Sequence, residues 1–368
     1  MERKLTRRSF TKLVTAGAAG TAAAGLGAAL PGFGRALGAE TLTAVTWGGP
    51  WFDSAKVVAE EFGRERDVAF AWELHSGGAQ KIVGKVKAAW PTVQYDIIAA
   101  WDPVFHAMIK EGWLEPLDDL PNLQDIPRPY MTFDEQGRAV VAPMSVTVTC
   151  WGYRKDLIEQ PVTRFEELLE PRFKGQVCMR TPTSYSGLAY VGMALEFGGD
   201  EHNIDPAFDY LKELAERGNI GRVAGSDVDA INSMTTGETA FGFGVGNVWE
   251  RIAEGVPIEV LMRVPGDTGF KGLPYKDGWV VLKGPKAELA KEFANYSIGP
   301  EANTAIAGAL ASAPTNSKAT ISEAARQWSY EPDELDRYTY FPDFGHLSEQ
   351  VNDWSVRFER EITPLLRG

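Results

Sequence analysis

Three strand–loop–helix units follow one another near the start of this chain, and they restrict its fold more than any other feature. Leu42–Thr46 is predicted as a strand that breaks at Gly48-Gly49. Pro50 then stands at a helix start, with Trp51, Ala55, Val58 and Phe62 at helical spacing. A second strand over 68–74 ends in His75-Ser76-Gly77-Gly78 and hands over to an amphipathic helix over 79–90. A third, over 96–100, ends in Trp101-Asp102-Pro103 before a helix over 104–111. Repetition of this unit predicts a parallel sheet covered by helices. All three strands then end at one edge, where open α/β sheets bind ligands. Trp47, Trp51, Ser76, Trp101 and Asp102 are the candidates there, although either of the first two tryptophans reads equally well as core.

The next long strand, over 140–151, exceeds what one small sheet needs and is read as a crossing into a second lobe. Ser145 and Thr147 then sit at the hinge beside a cleft; threonine is also simply a good strand former. The hydroxyl-rich run Thr181-Pro182-Thr183-Ser184-Tyr185-Ser186 precedes a helix. Ser184 and Ser186 individually suit capping, while the loop as a whole, with Tyr185 and Ser186, suits a ligand at a helix start. A glycine-interrupted strand over 237–244 feeds a helix opening at Asn247, and its spacing is not a dinucleotide fingerprint. The stretch over 273–282 is the return crossing and carries Tyr275 and Asp277. Further helices are predicted from Pro285 and Glu301. The tail over 322–366 has helical spacing and is expected to pack across the second lobe. The expected division is 40–146 plus 278–321 for lobe 1, and 147–277 plus 322–368 for lobe 2.

Residues 1–39 form a leader in three parts. Arg3, Lys4, Arg7 and Arg8 make a basic start, a weakly apolar Ala/Gly middle follows, and small residues gather at Ala36-Leu37-Gly38-Ala39. Within it, Thr6-Arg7-Arg8-Ser9-Phe10-Thr11-Lys12 resembles the twin-arginine export motif, with Thr11 departing from the usual apolar residue. The Ala/Gly middle makes a poor membrane anchor. The resemblance implies a protein exported folded into a periplasm. No cysteine lies near the cleavage region, so no lipid anchor is expected.

The 368 residues carry 37 basic and 50 acidic groups. The leader holds six basic and one acidic, leaving 31 and 49 and a net charge of −18 on the rest. That surface repels nucleic acid and anionic lipid. The four histidines, His75, His106, His202 and His346, show no metal-ligand spacing, and there is no nucleophile elbow or Walker loop. No metal, cofactor or catalytic set is therefore assigned. Cys150 and Cys178 read either as a pair or as free thiols.

Several ordered segments carry a resemblance over essentially the whole mature chain. They are TWGG at 46–49, YDIIAAWDP at 95–103, FEELLEPRFKGQV at 165–177, GETAFGF at 237–243, EGVPIEV at 254–260, YKDGWVVLKG at 275–284 and APTN at 313–316. In this order they resemble the extracellular solute-binding proteins of ABC importers, with the spermidine/putrescine-binding branch nearest. The resemblance implies an α/β, two-lobed periplasmic-binding-protein fold of type II-like form, with two crossing strands at the hinge. It implies a monomer that closes on a small-molecule solute and delivers it to an ABC permease in the inner membrane. Trp47 and Trp51 look like the aromatic after the first strand of polyamine binders, and Tyr275-Lys276-Asp277 like their aromatic–x–Asp element. Asp277 would then pair with a ligand ammonium. Departures are the lack of any acid in 181–190, the absence of the family tryptophan near Gly244, and Lys276 beside Asp277. These leave open an organic anion or zwitterion as solute, and, from other classes, an exported enzyme or a sensor subunit.

Overall fold

A computed structural model describes residues 40–75, 80–331 and 333–367; the leader and Ser76 lie outside the described residues. The first half runs β1 (Glu40–Thr46), α1 (Pro50–Arg66), β2 (Val68–Leu74), α2 (Gln80–Ala89), β3 (Ile97–Trp101) and α3 (Asp102–Lys110). The crossing strand β4 (Ala142–Arg154) leads to β5 (Val177–Arg180), α4 (Leu188–Glu196), α5 (Asp205–Glu216), β6 (Ile220–Ala224), α6 (Asp227–Thr236), β7 (Phe241–Val245), α7 (Gly246–Ala253) and β8 (Ile258–Val260). The return strand β9 (Leu273–Val281) precedes α8 (Ala287–Ser297), α9 (Pro300–Ala309) and β10 (Ala313–Pro314). The tail holds α10 (Glu323–Arg326), α11 (Leu335–Tyr338) and α12 (Phe344–Glu361).

The strands join in the order β2-β1-β3-β9-β4-β7-β5-β6, with β8 and β10 both paired to β4. β1 runs parallel to β2 and β3, so Thr46 and Trp101 end at the same edge. β9 is antiparallel to β3 through Asp277–Val281 and antiparallel to β4 through Leu273–Trp279. β4 pairs with β9 along its first two-thirds and with β7 and β8 along its last third. Each of the two long central strands thus belongs to both halves, as the crossings require.

Apolar periodicity supplies the cores. α1 buries Ala55, Val58, Ala59 and Phe62, with Pro50 opening the helix after Gly49 at φ +66°. In the second half Trp151 is fully buried, stacked on Phe241 at 5.5 Å and edge-on to Phe165 at 5.1 Å. Each such side chain taken from water contributes about 1.5–3 kcal/mol. α12 buries Phe344, Leu347, Trp354 and Phe358 in the second core, but it also packs on α3 of the first half, where Lys110 meets Glu349 at 2.6 Å. The tail is therefore shared by both halves, a wider reach than its spacing alone predicts. Cys150 and Cys178 are both free and buried. Among the described residues no helix is long and apolar enough to cross a membrane.

Candidate functional site

A cavity of about 430 Å³ opens where the sheet edge meets the two crossings. Three of its tryptophans come from the βα units. Trp47 follows β1, Trp51 sits in the first turn of α1, and Trp101 closes β3. Trp47 and Trp51 lie 4.8 Å apart, tilted by 53°. His75 backs Trp47 at 4.9 Å, and its Nε2–H donates to the carbonyl of Ala99 at 2.8 Å. Partial burial holds the imidazole below its usual pKa, so it serves as neutral packing.

β9 supplies the polar end. Strand alternation sends Tyr275 and Asp277 to the cavity and Lys276 away from it. Tyr275 meets Trp101 edge-on at 5.4 Å. Lys276 lies 3.0 Å from the fully buried Asp102, and its backbone N–H donates to the same carboxylate at 2.6 Å. The positive charge next to Asp277 in sequence is thus occupied elsewhere. Asp277 is 5% exposed. Burial, and then the Asp102 carboxylate nearby, push its pKa well above the ordinary carboxylate range.

The rest of the lining comes from the second half, the link between α9 and β10, and the tail. Thr147, Tyr185, Asn247, Glu250, Ser312 and Trp328 complete the lining, with apolar residues between them. The Trp328 indole N–H donates to Glu250 Oε1 at 2.6 Å, and Gln327 reaches the same oxygen at 3.3 Å. Trp328 rests on Gly246, where an added Cβ would stand 2.6 Å from the indole. This tryptophan occupies the neighbourhood in which the missing aromatic near Gly244 was expected. The Ser312 hydroxyl is buried without a hydrogen-bond partner among the described residues.

Of the sequence candidates, Trp47, Trp51, Trp101, Thr147, Tyr185, Asn247, Tyr275 and Asp277 come together around the cavity. Asp102 and Ser145 are fully buried but do not line it; Ser145 is the cross-strand neighbour of Asp277. Ser186 is buried and also outside the lining. The hydroxyl loop does not cap, and of its residues only Tyr185 lines the cavity. No side chain caps α4, whose N-cap is Gly187, and Thr181 Oγ1 bonds to Ser184 Oγ at 2.9 Å instead. Glu250, Ser312 and Trp328 escaped the sequence reading. Glu250 had a signal, because it lies three residues after Asn247 on one helix face.

The lining holds two carboxylates and, among the described residues, no lysine, arginine or histidine. Aromatic faces and acids stabilise a cation, whereas an anion would meet no counter-charge there.

Comparison with known proteins agrees with this architecture. An ABC transporter structure from Clostridium perfringens superposes with a TM-score of 0.76 at 21% identity, over 88% of this chain and 100% of that one. An extracellular solute-binding protein from Bordetella parapertussis gives 0.74 at 21% identity, over 88% and 99%. A spermidine/putrescine ABC transporter from Listeria monocytogenes gives 0.60 at 17% identity, over 87% and 99%. These are two-lobed binding proteins, and the likeness establishes the fold. No curated protein matches the chain. Residues 58–331 match the sequence model of a family described as bacterial extracellular solute-binding protein. With a crossing-strand fold, an aromatic cavity between its halves and a match over most of its length, the chain belongs to the bacterial extracellular solute-binding protein family.

Proposed function

We propose that this protein is the substrate-binding component of an ABC importer and captures a small, amine-containing organic cation. The observation that carries the reading is the charge of the cavity: Asp277 and Glu250 line it, on β9 and α7, with four tryptophans and two tyrosines around them. An ammonium entering there gains a charge-assisted hydrogen bond from each carboxylate and the electrostatic attraction of the ring faces. The two acids answer the lack of an acid in 181–190, because α7 supplies the carboxylate that the loop does not. An organic anion would draw on Ser76, the 181–186 loop and Lys276, and of these Lys276 is paired with Asp102.

The leader would export the folded monomer to the periplasm by the twin-arginine route. The lobes would divide at 40–146 plus 278–321 and 147–277 plus 322–368, hinge on β4 and β9, and close on the solute. The closed form would dock on a membrane permease. Its role is binding and not turnover. Closure is a two-state equilibrium biased by a ligand that touches both lobes.

The test is a thermal-shift and calorimetric screen of mono- and diamines, quaternary ammonium salts, amino acids and dicarboxylates, followed by small-angle scattering. Amines should raise the melting temperature and shrink the radius of gyration. A response confined to dicarboxylates would refute the cation reading.

A further inference from the structure

Tyr185, Ser186 and Gly187 form three successive residues in the left-handed region, at φ +49°, +53° and +78°. Only the glycine adopts that conformation without a steric cost, and an aromatic residue there needs surrounding contacts to hold it. Tyr185 lines the cavity, so the strained backbone stands at the ligand wall.

The contacts that hold it come from outside the cavity. The Tyr185 hydroxyl donates to Asp227 Oδ1, at the first position of α6. Arg180, 2% exposed at the end of β5, donates from Nη2 to the same oxygen at 2.6 Å and from Nη1 to the carbonyl of Ser226 at 3.1 Å. Its guanidinium carbon also lies 5.1 Å from the centre of the Tyr185 ring. Behind the turn, an added Cβ on Gly187 would meet the Trp354 indole of α12 at 2.7 Å, so the backbone has little room to relax that way. One carboxylate oxygen therefore ties the strained tyrosine to a buried cation.

We propose that Asp227 and Arg180 are positioning residues that set ligand affinity and size selection by fixing the Tyr185 ring against the cavity. The proposal rests on the solute-binding reading of that cavity, and it assigns a role to two residues outside the cavity lining. The neutral phenol suits the arrangement, since its hydroxyl acts as donor to a carboxylate. Burial and the Asp227 charge both hold Tyr185 well above its usual pKa.

The experiment is a double-mutant cycle on the full mature chain, using Tyr185→Phe, Asp227→Ala and the pair, with 1,4-diaminobutane and tetramethylammonium as probes. Each single change should weaken binding by about tenfold, the worth of one hydrogen bond to a charged group, and the pair should lose no more than either alone. Release of the ring should also narrow the preference between the small and the bulky probe. Losses that add, or an unchanged affinity with only a lower melting temperature, would overturn the proposal. Ligand-free crystal structures give a second readout. In Asp227→Ala the Tyr185 φ should turn negative, while in Asp227→Asn, which keeps an acceptor, it should stay positive. A φ still near +50° in Asp227→Ala refutes the positioning role whatever binds. If φ turns while the wild type binds neither probe, the positioning role stands and the amine reading fails.

Discussion

Replacing Asp277 by Asn should move ligand binding and ligand-free stability in opposite directions. The change keeps the shape of the side chain and one acceptor oxygen but removes the charge. Asp277 is the more deeply buried of the two carboxylates that line the cavity. Removing one partner of a buried, hydrogen-bonded charge pair costs about 2–5 kcal/mol. At about 1.4 kcal/mol per decade, the affinity for an alkylammonium should fall about 30- to 4,000-fold. In the free protein the same carboxylate opposes folding at neutral pH. Its folded pKa is raised above the unfolded value, by burial first and by Asp102 second. The protonated form is the comfortable one, so its contribution to stability is full at acid pH and lost as pH rises through the folded pKa. Within that window the slope approaches about 1.4 kcal/mol per pH unit. The variant has no such slope. Its ligand-free melting temperature should match the wild type near pH 4 and exceed it at pH 7–8, by calorimetry across that range. A variant that binds alkylammonium as tightly as the wild type, or that is less stable when free at pH 8, would refute the reasoning.

Four further outcomes follow from the same geometry. Because cation binding favours the ionised Asp277, it releases a proton, and affinity for an amine should rise with pH from the ordinary carboxylate range upward; calorimetry in buffers of different ionisation enthalpy reads the proton directly. Gly246→Ala drives a methyl into the Trp328 indole, and overpacking of this kind costs about 1–3 kcal/mol; chemical denaturation should show it together with weaker amine binding, because Trp328 is held by Glu250. Glu250→Gln should weaken diamines more than monoamines, as measured by titration calorimetry, if the second carboxylate receives a second ammonium. The Arg263 guanidinium holds Glu334 at about 2, below its ordinary value, so the pair stabilises above the usual carboxylate range and fades as pH falls toward 2. Both groups are partly exposed, so Glu334→Gln should cost no more than about 1 kcal/mol by denaturation at pH 7, and nothing at pH 2.

Local pattern carried much of the fold and part of the cavity. The three βα units were legible because strand alternation, glycine breaks and Pro50 agree with one another, and the parallel edge then brings Trp47 and Trp101 together. β6 and α6 left little trace. β6 is mostly exposed or half-buried, and α6 buries only Ala230, Ser233 and Met234, so neither shows a strong apolar period. Their omission hid Asp227, and with it the hold on Tyr185. Trp328 meets Glu250 across 78 positions, a contact set by packing of the tail and not by any local signal. Lys276 is the opposite case. Alternation along β9 already required it to face away from Asp277, so adjacency in sequence was the wrong measure of proximity.

That alternation has a consequence for how solute preference changes in lineages of such proteins. Near the cavity β4 and β9 are in register except for one irregularity between Pro143 and Ser145, opposite Asp277-Gly278. A single-residue insertion or deletion that shifted β9 by one step would exchange its two faces, presenting the ammonium of Lys276 where the carboxylate of Asp277 now stands. On the proposed reading, cation and anion capture would be neighbouring solutions on one scaffold, separated by one residue of strand register and not by a rebuilt pocket.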